Sequence, residues 1–499
     1  MMTTIMLATQ QDASKVAFGT SGLRGLVSDM TDKTCGIYIM AFLQYLQQSQ
    51  VITLGDSVAV AGDLRDSTPR IIAAVCHAIE KSGYQVIYCG DIPSPAVALY
   101  GLKEKIATIM VTGSHIPADR NGVKFTTPAG EINKADEQAI LQQQVVIDEN
   151  DYTEQGALRR IVDLPTPDWL AEQYYIQRFV DFFPSACLAG KKVGIYAHSS
   201  VSSRCMQAIL TRLGADTMIL GQSDDFIPVD TEAVREQDKS LARQWMQHHR
   251  SLDCLVSTDG DGDRPLISDE HGEWLRGDII GLLCANYLQA QAVVTPISSN
   301  SIIDKCGYFA EVKKTQIGSP YVIAAMEKIC QQFTSVVGYE ANGGFLQAST
   351  LYREGRALAP LPTRDAMIVL IALIRLSVER DRPLSAIAAG LPARFTASDR
   401  IKEVSPEISR RFLNQLIQQV RGEQEKPLLA QLGVTTEVED IDLTDGVRLT
   451  LSNGDIVHFR ASGNAPELRC YTESTSSQAA HTLNQQCLLA VKEQLSRMV

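Results

Sequence analysis

The segment Asp259-Gly260-Asp261-Gly262-Asp263-Arg264 sets three carboxylates at alternate positions, separated by glycines and closed by an arginine. In extended or loop backbone, alternate side chains fall on one side, so the three acids face a common point. Gly260 and Gly262 let the chain bend closely around that point. Three adjacent negative charges repel one another and are tolerated chiefly when a cation sits among them. An all-oxygen donor set suits Mg2+, Mn2+ or Ca2+ rather than zinc, and Mg2+ is the first choice. Arg264 adds a planar fork for a phosphate or carboxylate arriving at the same place. A solvated acidic turn is the plainer alternative, but such turns rarely carry three evenly spaced Asp after a strand. A calcium loop of the EF-hand type would use Glu270 at its twelfth position, yet Arg264 stands at the sixth, where glycine is needed.

Three further loops carry residues able to do chemistry. Ser114 lies in Thr112-Gly113-Ser114-His115, with Lys124 ten residues on, and no G-x-S-x-G signature surrounds it. A serine beside His115 and Lys124 at a strand end fits a nucleophile, and a hard metal nearby favours phosphate on it over an acyl group. Phe18-Gly19-Thr20-Ser21-Gly22-Leu23-Arg24-Gly25 is glycine-rich with one arginine, but lacks the P-loop lysine. Arg460-Ala461-Ser462-Gly463-Asn464-Ala465-Pro466-Glu467-Leu468-Arg469 offers two guanidinium groups, a hydroxyl, an amide and backbone N–H groups, which together suit a dianion.

Positioning these loops falls to alternating strands and helices. Apolar runs at 58–61, 86–88 and 106–111 read as strands, with a helix over 71–81 that Thr68 would cap and Pro69 would open. The pattern restarts at 192–196, with a helix over 202–213, a strand at 217–220 and another at 252–257 that delivers the acidic loop. It starts again with a helix over 278–288 and strands at 292–296 and 335–337, the last running into Gly338-Tyr339-Glu340. Residues 380–399, rich in Pro, Ala and charge, read as a linker to a distinct last unit. That unit has a hairpin turning at Ser452-Asn453-Gly454, a strand over 468–473 and a helix over 478–495. The expected architecture is α/β: three similar mixed α/β domains (1–155, 156–273 and 274–385) plus a C-terminal α+β domain (386–499) around a central cleft.

A chain of 499 residues has room for roughly three or four domains of ~100–200 residues. With 45% hydrophobic and 21% charged residues it is an ordinary globular protein. A net charge of −12 disfavours nucleic acid as a partner. Eleven scattered cysteines without a C-x-x-C pair point to reduced thiols and a cytoplasmic setting. The first 17 residues show no basic stretch ahead of an apolar core, so no signal peptide is expected. The longest apolar run, 366–374, falls far short of the ~20 residues that span a bilayer, so no membrane association is expected and the run reads as a core helix.

Taken in order, the Thr-Gly-Ser-His loop, the triple-Asp loop, Gly338-Tyr339-Glu340-Ala341-Asn342-Gly343-Gly344 and the 460–469 loop together resemble the α-D-phosphohexomutases over residues 18–473. The opening Gly19-Thr20-Ser21-Gly22-Leu23-Arg24-Gly25 is similar to that family's first motif. The resemblance implies a resting enzyme phosphorylated on Ser114, with Mg2+ held by Asp259, Asp261, Asp263 and a phosphoserine oxygen. It implies transfer of that phosphoryl group to a hexose phosphate, a hexose 1,6-bisphosphate that turns over in the cleft, and return of the other phosphate. Arg460, Ser462, Gly463, Asn464 and Arg469 would clamp the non-reacting phosphate, and Gly318, Ser319, Glu340 and Asn342 would contact the sugar. Arg24 and Arg264 would balance charge on the moving group. Lys124 would be the general acid/base, with its pKa depressed, and His115 is the competitor.

Four positions depart from the family pattern: Ile116 stands where Asn is usual, Gly262 where Ala is common, and Asn342 and Gly344 where Glu-x-Ser-Gly-His has serine and histidine. The last-domain pattern resembles bacterial phosphomannomutases most, so interconversion of mannose 6-phosphate and mannose 1-phosphate is expected. Glucose phosphate, dual specificity and glucosamine phosphate are the alternatives within the class. A non-catalytic sugar-phosphate-binding paralogue and a calcium-binding module are the alternatives outside it.

Overall fold

The computed structural model describes residues 1–9, 15–19, 22–160, 162–422, 434, 436–462 and 466–496. Three of its sheets repeat one strand plan. In the first, Ser57–Gly62 lies between the parallel strands Gln85–Asp91 and Ala107–Val111, and Arg120–Thr127 runs antiparallel beside the latter. In the second, Lys192–His198 lies between Asp216–Gln222 and Cys254–Thr258, followed by antiparallel Pro265–Ile267. In the third, Ala292–Pro296 lies between Glu311–Thr315 and Val336–Tyr339, followed by antiparallel Phe345–Gln347. Ala107–Val111, Cys254–Thr258 and Ala292–Pro296 are buried along their whole length, as continuous apolar runs covered on both faces should be. In every copy the third strand turns back into the antiparallel fourth. Those three equivalent turns carry Ser114, the Asp triplet and Glu340.

One apolar core runs through all three sheets' helices. Ser94–Glu104, Leu170–Phe182, Ser202–Arg212, Gly277–Tyr287 and Ala366–Glu379 pack into a continuous cluster. The run at 366–374 is fully buried there, as expected of a core helix. This shared core holds the three turns at fixed separations, because close-packed interiors do not deform continuously. Met2–Met6 pairs antiparallel with Gln144–Asp148, a long-range pairing that the sequence reading did not find.

The last unit is a five-stranded antiparallel sheet, in the order Phe395–Lys402, Glu467–Ser474, Ile456–Ala461, Val447–Leu451, Val438–Asp442. Alternate residues Val447, Leu449, Val457, Phe459, Leu468 and Cys470 face the helices Pro406–Val420 and Ser477–Ser496. Strand alternation puts Arg448, His458, Arg460, Arg469 and Tyr471 on the opposite face. Contacts to the third unit are polar. Glu473 accepts from Ser301 N at 2.9 Å, the Arg394 carbonyl accepts from Asn300 Nδ2 at 3.0 Å, and Asp445 Oδ2 accepts from Ile317 N at 3.0 Å.

Two local readings are corrected. Thr68 does not cap its helix: Ser67 holds that position without a side-chain bond, and the Thr68 hydroxyl donates to Asp63 Oδ1 at 2.6 Å. Its oxygen meanwhile accepts from Asn121 Nδ2 at 3.1 Å, so the hydroxyl is engaged by the serine-loop side of the sheet rather than by the helix amides. The 380–399 segment is only partly linker, since Phe395–Lys402 is already the edge strand of the last sheet. Among the described residues, no helix is long and apolar enough to cross a membrane. None of the eleven cysteines forms a disulfide.

His198 and His458 are buried, with Nε2 bonded to the carbonyls of Thr258 at 2.9 Å and Asp445 at 2.6 Å. Burial depresses both rings to about 4. The ordinary value is ~6.5, so as pH falls the unfolded chain takes up these protons first. The stability they contribute is present above pH ~6.5 and is lost progressively toward pH ~4. Scanning calorimetry across that window should show a falling Tm, with a smaller fall in His458→Asn. An identical acid dependence in the variant would contradict this assignment.

Candidate active site

Ser114 follows the strand Ala107–Val111 and adopts left-handed backbone, φ +55°, a conformation that costs a non-glycine residue energy. Its surroundings hold it there. Ser114 N donates to Thr112 Oγ1 at 2.7 Å, and Asp63 Oδ2 accepts from Thr112 Oγ1 at 2.7 Å and Gly113 N at 3.2 Å. Arg65, itself buried, donates Nε to Asp63 Oδ2 at 3.0 Å. Its Nη atoms donate to the carbonyls of Ser114, Ile116, Pro117 and Arg120 at 2.7–2.9 Å. All five guanidinium N–H groups are thereby satisfied. A Cβ on Gly113 would lie 2.5 Å from Arg65 Cζ, which requires glycine there. Asp63 and Arg65 escaped the sequence reading. Their only signal is a charged pair directly after an apolar strand.

The triple-Asp loop closes on this serine. Asp259, Asp261 and Asp263 are buried, and one oxygen from each lies within 4.8 Å of the others. Ser114 Oγ donates to Asp259 Oδ2 at 2.6 Å, while Asp259 Oδ1 accepts from the amides of Asp263 and Arg264, both at 3.2 Å. Lys124 Nζ lies 2.6 Å from Asp261 Oδ2 and 2.5 Å from Asp263 Oδ2. Among the described residues, Asp261 Oδ1 and Asp263 Oδ1 are buried without a hydrogen-bond partner. Unspent buried carboxylate oxygens beside a serine hydroxyl form a donor set that fits a hard divalent cation. Gly262 has φ +76°, and a Cβ there would lie 1.9 Å from Ser202 Oγ, so this serine occupies the space an alanine methyl would need.

Electrostatics divide the three acids. Burial and the charges of Asp261 and Asp263 push Asp259 well above the usual carboxylate range. Burial also acts to raise Asp263, but Lys124, Arg364 and Arg264 outweigh it and hold that carboxyl below the range. Burial would lower Lys124, yet Asp261 and Asp263 prevail and raise it. The expected depression of Lys124 is therefore absent in this geometry, because the ammonium serves as counter-cation to two carboxylates.

His115 and the two arginines sit on the other side of Ser114. Arg264 Nη1 donates to His115 Nδ1 at 2.7 Å, and Ser114 Oγ lies 3.4 Å from the same nitrogen. The Arg264 charge, then burial, drives His115 down to about 2. Its ring is neutral at pH 7, with the proton on Nε2. Arg24 Nη1 donates to the carbonyls of Leu23 at 3.0 Å and Thr112 at 2.9 Å. Burial lowers Arg24 to about 10, which leaves it charged at neutral pH.

Glu340 and Asn342 line the third turn, both buried. Glu340 Oε2 accepts from Arg364 Nε at 2.5 Å, and Arg364 Nη1 lies 3.8 Å from Asp263 Oδ2, so one arginine bridges the second and third turns. Arg364 was not found from sequence, since it lies twenty residues beyond that turn. Asn342 Oδ1 accepts from Gly344 N at 2.9 Å, and its carbonyl accepts from Thr231 Oγ1 at 2.7 Å. Gly318, φ +132°, precedes the helix Ser319–Ile329, and the buried Ser319 hydroxyl has no hydrogen-bond partner among the described residues.

In the last unit Arg460 and Arg469 stand directly opposite each other on paired strands. Like charges so placed are unfavourable unless an anion joins them. Arg460 Nε lies 3.2 Å from Asp445 Oδ1, and Arg469 Nε is buried without a hydrogen-bond partner among the described residues. Ser462 N donates to the Glu467 carbonyl at 2.8 Å, while Gly463 and Asn464 lie outside the described residues. Ser114, His115, Lys124, Arg264 and the three Asp thus form one contacting cluster. Arg24 joins it through the Thr112 carbonyl and Glu340 through Arg364; Arg460 and Arg469 make no direct bond to it among the described residues.

Family models for phosphoglucomutase/phosphomannomutase match three stretches: α/β/α domain I over residues 15–151, α/β/α domain III over 276–395 and the C-terminal domain over 373–490. A phosphomannomutase of Salmonella muenchen is 41% identical over 97% of this chain and 97% of its own length. A phosphoglucomutase/phosphomannomutase family protein from Burkholderia thailandensis shares the fold, with TM-score 0.68, 16% identity and coverage of 95% of this chain and 97% of that one. So does Aspergillus fumigatus N-acetylphosphoglucosamine mutase in complex with glucose 1,6-bisphosphate, with TM-score 0.56, 15% identity and coverage of 98% and 99%. With the repeated strand plan, the serine–carboxylate cluster and near full-length identity in agreement, the chain belongs to the phosphoglucomutase/phosphomannomutase family.

Proposed function

We propose that this chain is a Mg2+-dependent phosphomannomutase, interconverting mannose 6-phosphate and mannose 1-phosphate through phosphoserine 114 and a hexose 1,6-bisphosphate. The observation that carries this reading is the 2.6 Å approach of Ser114 Oγ to Asp259 within a buried triad that still has unspent carboxylate oxygens. The mannose preference rests on the 41% identical relative named a phosphomannomutase. Eleven cysteines outside any disulfide support a cytoplasmic setting.

Bound among Asp259, Asp261, Asp263 and Ser114, Mg2+ would supply positive charge to the phosphoryl oxygens. The protein supplies position. Left-handed backbone and the Arg65 clamp fix Ser114, and Arg24 and Arg264 lie where charge accumulates on the moving group. In transfer, the bond from phosphorus to Ser114 Oγ breaks as one forms to a sugar hydroxyl oxygen, and the hydroxyl proton ends on Ser114 Oγ. Lys124 is the assigned relay, able to take that proton only when Asp261 and Asp263 are otherwise neutralised. His115, neutral and already accepting from Arg264, suits an orienting role. Glu340 and Asn342 would bind sugar hydroxyls, Gly318 and Ser319 would line their side, and Arg460, Ser462, Gly463, Asn464 and Arg469 would hold the second phosphate. Turning the bisphosphate exchanges its phosphates, so one clamp serves both halves of the cycle.

Intact mass of purified enzyme should show a phosphate adduct that is lost in Ser114→Ala together with turnover. Full turnover in that variant sinks the mechanism. Coupled assays on mannose, glucose and glucosamine 1-phosphates should give the highest kcat/KM on mannose. An equal or higher value on glucose overturns the preference.

A further inference from the structure

Arg364 and Arg65 are both buried guanidinium groups at this site, yet they differ in one respect. Arg65 spends all five N–H donors on protein acceptors. Arg364, with its side chain 4% exposed, spends only Nε, on Glu340. Among the described residues its Nη atoms make no hydrogen bond, and the 3.8 Å approach to Asp263 is a charge contact only. Those four donors are left unspent by the described residues on a nearly buried guanidinium, and an anion entering the cleft would take them up. Arg364 also acts electrostatically on His115, Lys124 and Arg264, so it belongs to the reacting centre rather than its periphery. Its stem lies against bare backbone: a Cβ on Gly344 would come within 2.6 Å of Arg364 Cδ. Glycine at 344, where the resembling sequences carry histidine, leaves the room this arginine fills.

We propose that Arg364 is a catalytic residue, whose Nη groups donate to oxygens of the phosphoryl group in transit between Ser114 and the hexose. Its Nε meanwhile fixes Glu340 for the sugar. This rests on the mutase reading and adds a cation to it. A fork holding a carboxylate on one edge and a phosphoryl group on the other ties the sugar's orientation to the position of the reacting phosphate. Lysine offers a point charge and cannot do both.

The test is single-turnover transfer from phosphoenzyme to saturating hexose phosphate in Arg364→Lys and Arg364→Gln, with Tm recorded. Arg364→Gln should slow transfer by about 10²–10³-fold, the usual loss for one preorganised donor. Arg364→Lys, which keeps the charge beside Asp263 and Glu340 and so should keep the fold, should slow it by about tenfold or more with KM little changed. A transfer rate in Arg364→Lys within about threefold of wild type would overturn the proposal. Ser114→Ala separates the two claims: turnover there defeats the mutase reading, whereas an inert Ser114→Ala beside a fully active Arg364→Lys defeats this inference alone.

Discussion

Mutual repulsion among three buried carboxylates is the constraint on which the site depends. Two unit charges ~4 Å apart repel by about 4 kcal/mol at an effective dielectric of ~20. Three such pairs approach the whole stability of a domain, about 5–15 kcal/mol. Asp259, Asp261 and Asp263 therefore cannot stand ionised together without nearby positive charge. The protein answers with Lys124 between two of them, with Arg264 and Arg364 alongside, and with the Ser114 hydroxyl donating to Asp259. Each answer borrows a group the chemistry also needs. The lysine that neutralises the acids is the proposed proton relay, and the arginines that offset them are the groups proposed to meet the phosphoryl oxygens.

Such a cluster is maintained by rigid scaffolding rather than by its own interactions. One strand plan occurs three times, and in every copy the chemistry sits where the third strand reverses. A shared apolar core of helices sets the distances between the reversals. Within the first turn, Asp63 and Arg65 satisfy the amides and carbonyls of a strained loop, so Ser114 can hold φ +55° without orphaned polar groups. Phe226, from the second unit, stacks on Arg65 at 4.0 Å and lies against Gly260, tying the serine loop to the triple-Asp loop.

Short, locally encoded features were legible in the sequence. Period-2 carboxylates, glycine turns and apolar runs announce themselves over a few residues, and the three α/β units with a distinct last unit followed from them. Long-range pairings were not legible. Met2–Met6 finds its partner more than a hundred residues away, and Arg364 reaches the site through tertiary packing that no local pattern encodes. The two glycine departures make sense only in three dimensions. Ser202 fills the space beside Gly262, and Arg364 fills that beside Gly344, so each lost side chain is answered by one from another segment. The pKa of Lys124 was misjudged for a related reason: its carboxylate partners come from a loop 137 and 139 residues further along the chain.

Titration calorimetry with Mg2+ at neutral pH, on wild-type protein and Asp261→Asn, addresses the central claim most directly. The account predicts one site in the wild type, weakened about tenfold or more when Asp261 loses its charge, equivalent to ~1.4 kcal/mol or more. Undiminished Mg2+ affinity in Asp261→Asn would contradict it.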